Sequence, residues 1–218
     1  MREICYATGF LGGPVSDWID TNPALFTDFW LEYHFRREPE SIWVAEADGR
    51  VIGYVTGCRD TRAKARFMAG PFLLHAVRAL CHGRYRMGRR TLGMLGRLLL
   101  DGVTGRWPRR PSPRAWPATL HYNVLPDFRG APRRCGLRLA SCFVRRLIET
   151  GIAGCCGLVV MQARNKDQRY GLVGRLYDVK ATRVFRRATP EPLYLATLTF
   201  DLRDEARRRL RHALVDSH

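Results

Sequence analysis

The stretch from Ser41 to Gly57 constrains the fold more than any other part of the chain. Ser41-Ile-Trp-Val-Ala-Glu is apolar and β-branched, Asp48-Gly49 is a strong tight-turn pair, and Val51-Ile-Gly-Tyr-Val-Thr-Gly follows. Two such runs joined by a turn that tolerates positive φ predict an antiparallel β-hairpin. Further strand signals follow it. Thr119–Leu125 has strand composition, and Gly157-Leu-Val-Val-Met is a continuous apolar run of the kind found inside a sheet. Between these two lies a polar, basic loop and then an amphipathic stretch near 135–150. In it Leu139, Phe143 and Leu147 recur four apart, and Gly151 ends the helix.

The remaining segments fill in the order. Residues 2–8 read as a short first strand. Residues 14–38 read as helical, split near Pro23, with Phe26, Trp30, Tyr33, His34 and Arg37 sharing a face. Helices are expected near 68–82 and 89–101, then an ordered Pro/Trp/Arg loop over 106–117. A helix over 166–177, an antiparallel pair Thr182–Arg186 with Leu193–Leu202, and a basic helix Arg203–Leu214 complete the expectation. There is no internal repeat and no low-complexity tract. With 218 residues the chain suits one domain, 1–218, of α/β type with an α+β mixed sheet.

Charge is distributed unevenly. The chain carries 37 Lys+Arg against 20 Asp+Glu, a net +17. Residues 59–118 hold 14 of the cations and only Asp60 and Asp101 as acids, so this segment alone is +12. Solvated faces ordinarily interleave both signs. An Arg-rich surface with Tyr85, Trp107 and Trp116 nearby suits phosphate contacts with base stacking, and it also suits an anionic membrane surface. Arg84, Arg86, Arg89, Arg90, Arg97, Arg109 and Arg110 are the candidate nucleic-acid contacts.

Several classes fall away. No run of 18 apolar residues is present, and the first residues lack the layout of a signal peptide. Seven cysteines without a CxxC pair, and six histidines without HxxxH or HExxH spacing, fit neither a zinc site nor a disulfide framework. Cys155 and Cys156 sit in an apolar run and suit packing as small hydrophobes. The expectation is a reduced, cytoplasmic, metal-free protein.

The element order, with Trp43–Gly57, then His121-Tyr-Asn-Val-Leu-Pro-Asp-Phe-Arg-Gly130, then Leu139, Phe143, Leu147 and Gly151, then Asn165, resembles the GNAT acyltransferase superfamily. The resemblance covers most of the chain and leaves 59–118 as a basic helical insertion. It implies a strand that splays from its neighbour, a donor arm paired with the free edge, and a loop at a helix N-terminus that cradles pyrophosphate. An acceptor amine then attacks the acyl carbonyl directly. The sequence departs from the family pattern at two points. The loop Arg129-Gly-Ala-Pro-Arg-Arg-Cys-Gly136 has Pro132 and Arg134 where glycines belong, and Leu172 falls where the family's acid tyrosine stands.

The resemblance implies residue roles. His121, with an ordinary pKa near 6.5, is the candidate general base, with Asn123 beside it and Glu46 as a second base. Val124, Leu125, Arg129, Gly130, Arg133, Arg134, Gly136 and Asn165 are placed at the donor, and Tyr33, His34 and Tyr170 at the acceptor. No tightly bound cofactor is expected. The eroded loop and the +12 insertion suggest an aminoacyl-tRNA as donor to a small amine. A conventional acyl-CoA donor is the alternative, and a non-catalytic RNA-binding module a third reading.

Overall fold

The computed structural model describes residues 1–130, 135–162, 174–185 and 191–203. Its centre is a six-stranded mixed sheet in the order β1-β2-β3-β4-β6-β5. The hairpin forms as the sequence predicts, from β1 (Ile42–Ala47) and β2 (Arg50–Cys58). Asp48 and Gly49 take φ values of 51° and 72°, the left-handed pair that matches the strands' twist. Ala45 pairs with Gly53 and Glu46 with Val51, so Ile52 is an extra residue and bulges.

β2 pairs antiparallel with β3 (Ala118–Val124), and β3 runs parallel to β4 (Gly154–Gln162). β4 pairs antiparallel with β6 (Leu193–Asp201), which pairs antiparallel with β5 (Gly174–Ala181) at the far edge.

Helices cover both faces. On one, α6 (Cys135–Glu149) inserts Leu139, Phe143 and Leu147 against Ile52, Val55 and Val124. The four-residue spacing places these side chains on a single stripe. On the other face α1 (Arg2–Thr8) and α2 (Pro23–Arg37) enclose Ile4, Leu31 and Tyr54. Pro23 opens α2 at its first position, where a missing N–H costs nothing.

Residues 59–118 lie between β2 and β3 in sequence. α3 (Thr61–Phe67) is capped by Asp60, whose carboxylate accepts the N–H groups of Arg62 and Ala63. The helix continues through a π turn, Met68–Phe72, into α4 (Leu73–Cys81). Pro71 lies within that turn, where its absent N–H breaks the regular ladder. α5 (Arg89–Val103) follows, and 106–117 form the expected loop.

Three expectations are corrected. Residues 2–8 are helical, because Ile4, Cys5 and Thr8 bury a helical stripe that strand alternation would divide between two faces. Residues 174–177 belong to strand β5, so the helix expected over 166–177 does not extend over them; residues 163–173 lie outside the described residues. At the sheet edge β6 pairs with β5, and the described part of the expected partner 182–186 lies beyond that ladder. Thr182 leaves the ladder after its N–H reaches the Leu193 carbonyl, and Val184 and Phe185 turn into the core. The expected helix 203–214 lies outside the described residues beyond Arg203.

Candidate active site

The sheet opens between β3 and β4. They pair only at Ala118 with Cys155 and Thr119 with Cys156. By contrast β2 tracks β3 through Val124, and β4 tracks β6 from Gly154 to Gln162. From Leu120 onward the β3 edge facing β4 therefore has no strand against it among the described residues. Unpaired edge N–H and C=O groups inside a sheet are a template for an extended ligand.

The start of α6 borders this opening. A Cβ added at Gly136 would meet Cε2 of Tyr122 at 2.9 Å, so the helix start lies directly against the Tyr122 ring. Tyr122 points to the α6 face of β3 and is half exposed. At the end of β3, the Leu125 N–H donates to the Ile52 carbonyl at 2.9 Å. Arg129 folds back, with Nε donating to the Val124 carbonyl at 2.7 Å and Nη1 lying over Gly12. Gly130 turns the chain with φ 79°. Arg133, Arg134, Asn165 and Tyr170 lie outside the described residues.

On the opposite face of β3 is a polar cluster. Asn123 and His121 pair in register with Tyr54 and Thr56 of β2, so all four project toward α2. Asn123 Nδ2 donates to the Tyr54 hydroxyl at 3.0 Å and stands 3.3 Å from His121 Nε2, which the Tyr54 hydroxyl also approaches at 3.5 Å. This places the lone pair of His121 on Nε2. Trp30 of α2 stacks on the imidazole, with centroids 4.7 Å apart and planes 12° from parallel. Burial, and next the Lys64 charge, lower the His121 pKa to about 4, so the ring is neutral at pH 7. Burial also raises the Tyr54 pKa, keeping its proton in place.

A second pair lies beside the first. His34 Nδ1 donates to the Gly57 carbonyl at 2.9 Å, which leaves Nε2 to accept from Lys64 Nζ at 3.1 Å. Burial and the Lys64 charge lower the His34 pKa to about 3. Lys64 is itself lowered, first by burial, with Arg110 adding to the effect. Tyr33 donates to Glu38 Oε1 at 2.6 Å and is raised by burial and that contact.

The structure thus brings His121, Asn123, Tyr33 and His34 to one side of β2 and β3. It does not bring Glu46 there. Glu46 is exposed on β1 opposite Val51, five residues along β2 from Thr56, or about 16 Å at strand rise. A cavity of about 730 Å³ lined by Tyr33, Glu38, Arg59 and Phe67 sits at the end where β3 and β4 are still paired. Val124, Leu125, Arg129, Gly130 and Gly136 gather at the open end. Arg84, Arg86, Arg89 and Arg90 are exposed around the turn into α5. Arg97 donates to the Val184 carbonyl, and Arg109 and Arg110 are exposed in the loop after α5. No group of three or more potential metal ligands occurs among the described residues.

Lys64, Tyr54 and Trp30 escaped the sequence reading as site residues. Lys64 carried a usable signal: it is one of three lysines in a chain with 34 arginines. A compact ammonium on a flexible stem reaches a single buried acceptor such as His34 Nε2 where a guanidinium fork would not fit.

No family model and no curated protein matches the chain. Solved structures do. SsHAT is 24% identical over 93% of this chain and 92% of its own, with a TM-score of 0.60. The Drosophila melanogaster polyamine N-acetyltransferase that forms N-acetylagmatine is 18% identical over 92% of each chain, with a TM-score of 0.55. With its hairpin, its parallel pair parted after two residues and a helix start set into the parting, the chain has the fold of the GNAT N-acetyltransferase superfamily.

Proposed function

We propose that the chain is an N-acyltransferase that moves an acyl group from an acyl-CoA thioester to a small amine. The observation that carries this reading is the opening between β3 and β4, flanked on the α2 side by a neutral His121. An extended pantetheine arm would pair with the free edge of β3 and present its thioester near the Val124–Leu125 end. The amine nitrogen attacks the carbonyl carbon, a C–N bond forms and the C–S bond breaks. Nitrogen becomes acidic on bonding to the carbonyl, and its proton passes to His121 Nε2. The thiolate takes a proton from solvent.

The acceptor that suits this site carries one amine and no second cation. Lys64 supplies a positive charge beside His121, and the nearby acids are already engaged: Asp28 with Arg2 and Tyr85, Glu38 with Arg59 and Tyr33. In this respect the reading departs from the polyamine-acting relative.

The test is thiol release from a panel of acyl-CoA donors against monoamines and diamines, run in parallel with label transfer from charged tRNA. Turnover with acyl-CoA that His121→Ala abolishes supports the proposal. Transfer from charged tRNA alone would replace the donor, and RNA binding without transfer from either source would end the enzymatic reading.

A further inference from the structure

The basic segment 59–118 presents no free carboxylate. Asp60 is held at the N-terminus of α3. Asp101 is fully buried and accepts from the Thr182 hydroxyl and the Arg183 N–H. What the segment turns outward is arginine and, unexpectedly, aliphatic surface. On α4, Leu73, Leu74, Val77 and Leu80 are all exposed, while Phe72 just before the helix and Ala79 within it face inward. On α5 the inward stripe is Thr91, Met94, Leu95, Leu98 and Asp101. The outward one is Leu92, Leu99 and Val103, the last two 72% and 88% exposed, with Leu100 beside them. These two helices hold half of the large exposed hydrophobic residues in the described chain. Aliphatic stripes of this kind on the helices of a folded protein mark surface that something covers.

We propose that α4 and α5 seat on a bilayer rich in anionic phospholipid. Their outward leucines and Val103 enter the acyl boundary, and Arg78, Arg89 and Arg90 engage lipid phosphates. Charge and chemistry together select this occupant. Arginine mixed with aliphatic side chains on short amphipathic helices is the pattern of helices lying in a membrane interface. A nucleic acid would answer the arginines and leave the leucines in water, since bases stack on aromatic rings rather than on aliphatic side chains. A second copy docked face to face would set this cationic surface against itself with no acid to pair. The helices would lie flat: α5, at 15 residues, is about 22 Å long, and no described helix is long and apolar enough to cross a membrane.

The experiment is cosedimentation of the full chain with vesicles of phosphatidylglycerol and phosphatidylcholine, compared with phosphatidylcholine alone, at 0.15 M salt. Partition at least tenfold stronger onto the anionic vesicles is expected. The double variant Leu99→Glu/Val103→Glu should lose at least tenfold with an unchanged melting temperature, since both side chains are exposed. Arg89→Glu/Arg90→Glu should lose partition selectively on anionic vesicles. Equal partition onto both vesicle types, or indifference to the Leu99/Val103 substitutions, would overturn the proposal. So would a dimer in sedimentation velocity that the same double variant dissociates, or tRNA binding that it abolishes.

Discussion

Trp30 lies flat on His121, 4.7 Å between ring centres and 12° from parallel. The contact joins α2 to β3 across the polar cluster. It fixes the imidazole plane, and the Asn123 and Tyr54 contacts fix which nitrogen bears the lone pair.

If His121 accepts the proton, His121→Ala lowers kcat by about 10²–10⁴, the usual worth of a positioned base. The KM for acyl-CoA stays within about a factor of three, because the donor's place on β3 is built from backbone. Steady-state kinetics on both substrates reads this directly. A fall in donor affinity with unchanged kcat would assign His121 a binding role instead.

Lys64→Met keeps the packing and removes a positive charge that depresses both histidines. The expected result is a rise in the pKa of His34 and His121, seen as an upward shift of the acid limb of kcat/KM. Titration of the imidazole proton resonances measures the same shift without turnover.

Stability should fall in mild acid. His34 is depressed to about 3 in the folded chain, so it stays neutral where the unfolded chain, near 6.5, binds a proton. Its contribution is fully present above pH 6.5 and is lost as the pH drops toward 3. Between pH 6.5 and 5 the loss through His34 is about 2 kcal/mol, with His121 acting in the same direction. Urea midpoints across this range, compared between the parent and His34→Gln, should show a shallower slope in the variant.

Gly57→Ala should destabilise sharply. An added Cβ would sit 1.9 Å from Cε2 of Phe143, whose ring is fully buried between α6 and the sheet. Overpacking of this kind costs roughly 1–3 kcal/mol, and here it also displaces the carbonyl that His34 holds. Urea unfolding at pH 7.5, where the histidine effect is absent, isolates the steric cost.

Asp101→Ala should cost about 1–3 kcal/mol by stranding the Thr182 hydroxyl and the Arg183 N–H. The same substitution frees the C-terminal half of α5, so hydrogen exchange should accelerate there before it does in β2.

Much of the fold was legible because its signals are local. The Asp48-Gly49 turn, the spacing of Leu139, Phe143 and Leu147, and the apolar run of β4 each depend on neighbours within a few residues. Residues 2–8 were misread because a short continuous apolar run, Ile4-Cys5-Tyr6-Ala7, fits a strand or a helix equally well, and packing against α2 decided between them. The pairing of β5 with β6 was hidden because nothing in Leu176 or Val179 specifies which strand lies alongside.

By itself the sequence determined the hairpin, the helix that follows β3, the alternation that puts His121 and Asn123 on one face, and the concentration of charge in 59–118. These follow from backbone periodicity and composition, which act over short distances. The tertiary structure alone decided that β3 and β4 part after Thr119, that Lys64 reaches His34 from thirty residues away, and that α4 and α5 turn leucines outward. Each of these is set by how separate elements meet, and burial and the pairing of charges across such contacts depend on distances in space that order along the chain does not fix.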